Sequence, residues 1–549
     1  MAIDTAGIPA ATGGTLKRQV GLIGLLWASE SSIIGSGWLF GAKKALVAAG
    51  PSAIIAWGIG AVAIIILAMV HAELGGMFPV AGGSARFPTY AFGGAAGASF
   101  GWFAWLQAAS VAPIEVEAAM TYMQHWSIAS SWFNDKGNIH GAGFLVAVVL
   151  MAVFVAVNFL AVRALTNVNS VIMWWKIAIP LLTILVVAVL HFHGGNFTAA
   201  DGFMPGGMHG VFAAVSGSGI IFSLLGFEQA IQLGGESSNP KKDLPRATIL
   251  SILIGAVVYI LLQIVFIAAI PALNIPKVWA DLTYPGISGP WAGLTTLIGL
   301  GWLGTVLYID AVVSPVGTGL IYTTATSRYS IGLAKNGYWP RQYGNVNRQG
   351  IPVFGLITAF VVGCICFLPF PSWGQFVGFI TSASVLMYAG APLAFGVFRT
   401  KLPNYERPYV LPGGSVMAPL AFVVANLVIF WSGWSTLEGL AAAILVGYVI
   451  LIATRVFNLN PVRPVLDLKA AQWLPVYLLG LGFIEWISDF GPGHSFLFKK
   501  PWLDNWWIDI IVVALFSLVI YYWAQAVALP AEKIEESIAS IHVEEVEVA

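Results

Sequence analysis

A group of small polar residues interrupts the first long apolar segment of the chain, residues 20–48. The residues at and beside the interruption are Ser31, Ser32, Ile34, Gly35, Ser36 and Gly37. Glycine in a helix interior costs about 1 kcal/mol relative to alanine, so two glycines at mid-segment predict a broken helix. The N–H groups of residues 35–37, at the positive end of the restarted helix, would attract an anion such as a carboxylate. Close packing of small residues between helices is the alternative interpretation.

A second interruption lies in the sixth apolar segment, residues 209–234, where the run at its centre is Leu225, Gly226, Phe227 and Glu228. Carbonyl groups left unpaired near Leu225 and Gly226 could accept hydrogen bonds from an ammonium group. The two interruptions together would bind a zwitterion, with its carboxylate at the first and its amine at the second. Phe227 would cover this ligand or, alternatively, belong to the packed core.

Lys176 lies inside another apolar segment, residues 167–190. Ionisable side chains in segments long enough to cross a membrane are costly and usually functional. Lys176 could carry a proton through a reaction cycle, or occupy the position that a sodium ion would otherwise take. The alternative is that its long side chain reaches the nearer membrane surface. About nine residues separate it from that end, which favours a functional role.

Five acidic residues also fall inside apolar segments, and these are Glu30, Glu115, Glu117, Glu228 and Asp310. Glu115 and Glu117 are two positions apart on a helix, so they point in different directions and at most one can face a central cavity. We take Glu228, beside the second interruption, as the preferred proton carrier and Glu115 as a further candidate. For the other acids, a proton relay and a structural hydrogen bond both remain open. His71 and Glu73 are interpreted as structural.

The composition indicates what kind of structure must hold these residues in position. The chain of 549 residues is 58% hydrophobic and only 9% charged, whereas soluble domains contain about 25% charged residues. These values predict an all-α polytopic membrane protein. The zero net charge gives no indication of nucleic-acid binding. Cys364 and Cys366 are interpreted as core residues, and the sequence predicts no cofactor, no metal site and no catalytic arrangement.

Because about 20 apolar residues cross a bilayer, we predict fourteen membrane spans. Their approximate bounds are 20–48, 53–77, 92–126, 143–162, 167–190, 209–234, 247–270, 292–326, 352–369, 374–397, 417–435, 438–456, 473–490 and 507–528. Of the 25 Lys and Arg residues, 18 then fall on the side of the N-terminus, six on the other side and Lys176 within a span. The positive-inside rule therefore places both termini in the cytoplasm.

The two interruptions open two successive units of five spans. Because five is odd, the second unit enters the membrane from the opposite side, and interrupted helices at matching positions of inverted halves indicate a transporter site. The predicted regions are an N-terminus over 1–18, a first repeat over 19–190, a second repeat over 209–397, four additional spans over 417–528 and an acidic cytoplasmic tail over 529–549.

Four motifs in this order resemble those of the amino acid–polyamine–organocation (APC) permeases. They are Ile33–Phe40, Glu73–Pro79 followed by Ala81–Gly83, Gly226–Glu228 with Glu236–Ala247, and Ser327–Tyr329 with Lys335–Pro340. Two further stretches, Trp38–Phe40 and Pro113–Ala118, resemble the bacterial aspartate–proton symporter branch of that family. The resemblance implies a LeuT-type fold of two inverted five-helix repeats. Most members have twelve spans, so the last four helices have no assigned role.

The resemblance also implies a function, proton-coupled amino acid uptake across the bacterial cytoplasmic membrane. It places the substrate carboxylate at residues 35–37 and the amine near Gly226 and Phe227, and it gives Lys176 the ion-replacing role. An acidic substrate such as aspartate conflicts with one buried cation among about five buried acids, unless these acids are protonated during transport. An exchanger of neutral or cationic amino acids or polyamines, and a membrane sensor without transport, are the alternatives. The expected partners are an amino acid, a proton and the lipid bilayer, and the oligomeric state is not predicted.

Overall fold

The computed structural model describes residues 20–79, 83–159, 162–348, 350–492, 503 and 505–547. The predicted cytoplasmic N-terminus over 1–18, Ala81 and Gly82 of the second motif, and Lys17, Arg18, Lys499 and Lys500 of the charge count lie outside these residues. Within the described ranges the chain is helical, with isolated β-bridges and no strand. The all-α prediction is therefore confirmed.

Twenty α-helices follow one another along the described chain. Their bounds are α1 Leu22–Ile33, α2 Gly37–Ala49, α3 Ala53–Met77, α4 Gly83–Phe92, α5 Gly94–Met123, α6 Ala142–Phe159, α7 Val162–Leu190, α8 Gly207–Gly217, α9 Ile220–Ser223, α10 Glu228–Gln232, α11 Pro240–Ala269, α12 Pro290–Leu297, α13 Gly301–Lys335, α14 Val353–Cys366, α15 Trp373–Lys401, α16 Gly414–Phe430, α17 Trp434–Val456, α18 Trp473–Trp486, α19 Trp506–Val527 and α20 Ala531–Glu547.

Each of the fourteen predicted segments overlaps at least one of these helices. Eight described stretches are long and apolar enough to cross a membrane by themselves, and four shorter apolar helices add to them. The eighth prediction, 292–326, has the wrong bounds. A turn at Gly299, whose φ is +82°, divides it into α12 and α13, and α13 continues to Lys335. Such a φ favours glycine, which has no Cβ to clash.

Both predicted interruptions are real breaks. The helix of the first span stops at Ile33 and restarts at Gly37, so that α1 and α2 are separate helices. The sixth span consists of three pieces, and left-handed or otherwise positive φ angles at Gly219 (+88°) and Gly226 (+129°) divide them. The broken segments pack between the long helices α3, α5, α11 and α13, so their irregular backbone is surrounded by protein, as it must be in a membrane.

Buried polar contacts join the last helices to one another. On α16, Asn426 donates to Ser517 Oγ of α19 (2.8 Å) and accepts from Tyr477 of α18 (2.7 Å). Helix α16 itself packs on α15 and α3.

At the ends of α3 and α15, the Glu73 carboxylate accepts from the Arg399 guanidinium (2.6 Å). The same carboxylate accepts from the Leu411 N–H (2.7 Å). These contacts give Glu73 a structural role, which agrees with its interpretation from the sequence.

Candidate binding site

The two breaks lie against each other. A Cβ on Gly226 would lie 2.7 Å from the Cβ of Ser32 and 2.9 Å from the Ile33 nitrogen. A Cβ on Gly37 would overlap Ser223 Oγ and lie 2.9 Å from Ser223 Cα. Glycine at both positions lets the backbones approach closely. The predicted site residues of the first and sixth spans are therefore brought together at one place.

At the first break, the restarted helix holds a carboxylate. The Ser36 N–H donates to both carboxylate oxygens of Glu115, at 3.0 Å and 3.3 Å, and Glu115 comes from α5. A Cβ on Gly35 would lie 2.8 Å from Glu115 Oε1, so only glycine admits the carboxylate so close. The chemistry is that of an anion at a helix start. Its occupant here is a side chain of the same protein, and a substrate carboxylate in its place stays a prediction.

The second break also holds a carboxylate, but a local one. The Gly226 N–H donates to Glu228 Oε2 (3.0 Å), and the hydroxyls of Tyr322 (3.0 Å) and Tyr388 (2.5 Å) donate to the same carboxylate. The Gly226 carbonyl accepts from the Gln229 N–H (3.1 Å). The prediction that this carbonyl is left unpaired is therefore wrong, because the chain re-enters a helix within two residues.

Phe227 belongs to the packed core in this structure. It is fully buried, and its ring lies 4.7 Å from that of Tyr388 and 5.2 Å from that of His71, centroid to centroid. Of the two interpretations of Phe227, these contacts favour the core residue over the lid. Leu225, by contrast, does line the cavity between the breaks.

Lys176 is fully buried and reaches the first break. Its Nζ donates to the Ser31 carbonyl (2.5 Å) and to Thr318 Oγ1 (2.7 Å), and Thr318 also donates to the Ser31 carbonyl (3.2 Å). These contacts contradict a side chain that extends to the membrane surface. The ammonium is therefore held by a carbonyl and a hydroxyl oxygen, the kinds of oxygen that also bind hard cations.

The space between the breaks is small. A cavity of about 10 Å³ remains, which is room for about one water molecule. It is lined by Ser32, Ile33, Gly35, Gln107, Val111, Glu115, Phe222, Leu225, Thr318 and Tyr322. On the α2 side, Trp373 donates to Ser36 Oγ (2.9 Å) and stacks on Phe40 at 4.9 Å. The site is therefore closed, and an amino acid would need the helices to separate.

The acids divide as the helical geometry predicts. Glu115 faces the cavity, whereas Glu117, two positions on, does not line it, and its carboxylate has no hydrogen-bond partner among the described residues. The Asp310 carboxylate accepts from Trp175 Nε1 (2.8 Å) and Ser314 Oγ (2.7 Å). The Glu30 carboxylate is buried without a hydrogen-bond partner in the described part of the chain.

Reasoning from the sequence missed four polar residues at this site, which are Gln107, Thr318, Tyr322 and Tyr388. One signal could have found two of them. Polar residues recur at every fourth position of α13, at Asp310, Ser314, Thr318 and Tyr322, and this spacing places them on one helix face. Tyr388 carries no such periodic signal in its span.

Known transport proteins resemble this chain over most of its length. The family model described as amino acid permease matches residues 20–527. The glutamate/serine transporter AimA of Bacillus subtilis is 35% identical over 93% of this chain and 94% of its own length. An aspartate–proton symporter of the same organism is 32% identical, over 95% of this chain and 99% of its own. The branched-chain amino acid permease BcaP, also of Bacillus subtilis, is 24% identical over 80% of the chain.

The matches cover nearly the whole chain, including both breaks, Lys176 and the four additional helices. They agree with the motifs at residues 33–40 and 226–228, and with a multi-pass membrane protein built on a LeuT-type fold. The chain therefore belongs to the amino acid permease family, within the APC group of transporters.

Proposed function

We propose that this protein imports acidic amino acids, aspartate or glutamate, across the bacterial cytoplasmic membrane by symport with a proton. The observation that carries the proposal is the carboxylate bound by the Ser36 N–H beside the buried Lys176 ammonium. A helix start that holds one carboxylate can hold another of the same geometry. The names of the two relatives above 30% identity, which mention aspartate, protons, glutamate and serine, agree with it.

The first break suggests how proton and substrate are coupled. The substrate α-carboxylate would take the place of the Glu115 carboxylate at the Ser36 N–H. An ionised Glu115 competes for this donor, whereas a protonated Glu115 is a weaker acceptor. A proton on Glu115 would therefore prepare the site for substrate, and deprotonation towards the cytoplasm would expel it. Glu228, with three donors already on its carboxylate, fits a proton carrier less well than we expected from the sequence.

Lys176 supports a proton rather than a sodium ion as the coupled ion. Its Nζ bonds the Ser31 carbonyl and the Thr318 hydroxyl, two oxygens that could otherwise bind a metal cation. The Lys176 ammonium also contributes to the charge balance of the site. When Glu115 is protonated, the positive charge of Lys176 would be available to a second carboxylate in the substrate, which removes the conflict between an acidic substrate and the buried acids.

Two features of the architecture belong to the same proposal. The distribution of Lys and Arg supports cytoplasmic termini, and the five-span units 19–190 and 209–397 would be inverted halves that move relative to each other. Binding from outside would require Phe40 and Trp373 to part, because they cover the first break on the α2 side.

Uptake into proteoliposomes tests the function. With the lumen made alkaline, labelled aspartate and glutamate should accumulate, and collapse of the pH gradient with a protonophore should stop accumulation. A sodium gradient of the same size serves as the control and should drive nothing. Uptake that ignores the pH gradient would contradict symport. Uptake that requires unlabelled amino acid inside the vesicles would favour the exchanger instead.

A further inference from the structure

Two adjacent lysines, Lys43 and Lys44, lie on α2 one turn beyond Phe40. Spacings of three and four residues place both lysines on the helix face of Phe40, which stacks on Trp373 over the first break. A Cβ on Gly374, the residue after Trp373, would lie 2.5 Å from Lys44 Nζ. The Lys44 ammonium therefore lies directly beside the aromatic pair that closes the site.

No acidic residue in the described part of the chain compensates these two charges. The ion pairs among the described residues include neither lysine. Both side chains are half-buried, and their like charges repel each other. Lys44 also lies at the start of α15, where the helix dipole makes a cation unfavourable. Such an excess of positive charge, partly withdrawn from water, indicates an anion that binds there.

The lysines cannot contact the substrate while it is bound at the first break. Eight residues of helix separate Ser36 from Lys44, which is about 12 Å along the axis. An aspartate is too short to reach both positions, and Lys176 provides the positive charge at the first break. The lysine pair would therefore hold an earlier position of the substrate, on the side of Phe40 and Trp373 that the distribution of Lys and Arg predicts to be outside.

We propose that Lys43 and Lys44 form an outer carboxylate site, which binds an acidic amino acid before Phe40 and Trp373 part. This inference rests on the proposed transport function and extends it from the closed site to its entrance. Aspartate and glutamate carry a net negative charge near neutral pH, whereas a neutral amino acid carries none and a cationic one would be repelled. The lysine pair would concentrate acidic substrates at the entrance and select them by charge.

Uptake by right-side-out membrane vesicles tests the proposal, because the permease keeps its natural orientation in them. In the double variant Lys43→Gln/Lys44→Gln, KM for aspartate should rise about tenfold at low ionic strength with kcat unchanged, since the closed site keeps its contacts. Salt screens charges that are in contact with water, so added salt should raise KM in the wild type and have little effect in the double variant. The control is Lys277→Gln, which removes an exposed lysine between α11 and α12. This control should leave KM and its salt dependence unchanged.

The wild type alone keeps the proposal testable if the double variant folds poorly, because a KM for aspartate that does not rise with salt would overturn it. Lys44→Arg retains the charge beside Gly374 and should keep both KM and its salt dependence near the wild-type values. A double variant with the wild-type KM at low ionic strength would overturn the inference alone. A loss of kcat at unchanged KM would do the same, since the lysines would then serve the movement of α2 or its contact with lipid. Wild-type vesicles that take up no aspartate would overturn the transport function as well.

Discussion

The two helix breaks hold a carboxylate on a backbone N–H in different ways. At the first, Ser36 binds Glu115, which is 79 residues away on α5. At the second, Gly226 binds Glu228, which is two residues away, and two tyrosines add their hydroxyls. The Glu228 bond to its own break is short-range and survives any rigid movement of helices. The Glu115 bond exists only while α5 and the first break stay together.

This difference separates the roles of the two breaks. A carboxylate that depends on the distance between two helices can be exchanged for a ligand when they part. A carboxylate with three donors is costly to displace, since each hydrogen bond to a charged group is worth about 1.5–3 kcal/mol. We therefore expect the first break to be the exchangeable anion site and the second to be a fixed structural lock. Substitutions at the two breaks and at their partners can test this contrast.

Lys176→Met should have the largest effect. The substitution removes the ammonium that bonds the Ser31 carbonyl and Thr318, and each hydrogen bond to a charged group is worth about 1.5–3 kcal/mol. Because 1.4 kcal/mol is a factor of ten, proton-driven uptake should fall by about 100-fold or more. Substrate binding, measured as thermal stabilisation of the detergent-solubilised protein, should suffer less. Uptake at the wild-type rate would remove Lys176 from the mechanism.

Glu115→Gln should come next, with Glu117→Gln as the matched control. The first removes the titratable carboxylate at Ser36. The second removes an acid two positions on that does not line the cavity. In the wild type, aspartate should bind more tightly as the pH falls, because protonation of Glu115 frees the Ser36 N–H. Glu115→Gln should bind aspartate with the same affinity at all pH values. It should also lose most of its proton-driven accumulation, because an amide cannot carry the proton.

The control variant decides how that result is interpreted. Glu117→Gln should keep both the pH dependence of binding and the accumulation. Identical behaviour of the two variants would show that removal of any buried acid on α5 disturbs the protein. A pH dependence of binding that persists in Glu115→Gln would mean that another residue binds the proton. It would contradict the difference proposed between the two breaks.

The substitutions Gly226→Ala and Gly35→Ala test how strongly the backbone of each break depends on glycine. At Gly226, φ is +129° and a Cβ would lie 2.9 Å from the Ile33 backbone nitrogen. At Gly35, a Cβ would meet the ends of the Glu115 and Thr318 side chains, which can turn away. Strain of this kind costs about 1–3 kcal/mol for a non-glycine residue. Gly226→Ala should therefore lower the melting temperature more than Gly35→Ala, whereas Gly35→Ala should weaken aspartate binding more. The opposite order would contradict a fixed second break.

Several of these residues are predictable from the sequence because they are exceptions in an apolar chain. Glycines at mid-span weaken a helix, and a lysine in a membrane segment is costly to bury, so their positions led to both breaks and to Lys176. The partners were not predictable. Ser36 meets Glu115 across 79 residues, and Ser31 meets Thr318 across 287, and no local pattern encodes such pairs. The occupied Gly226 carbonyl and the buried ring of Phe227 depend on backbone angles and packing that propensities do not specify.

Tyr388→Phe and Tyr322→Phe should have the smallest effects, because each leaves the Glu228 carboxylate with two of its three donors. A hydrogen bond to a charged group is worth about 1.5–3 kcal/mol, but the two remaining donors offset part of this loss, so the rate should fall by only about a few-fold. The two variants should nevertheless differ. Tyr322 lines the cavity and Tyr388 does not, so Tyr322→Phe should raise KM for aspartate whereas Tyr388→Phe should change only the maximal rate. Loss of transport in either variant would mean that Glu228 takes part in coupling, because a structural lock with two remaining donors has no reason to fail.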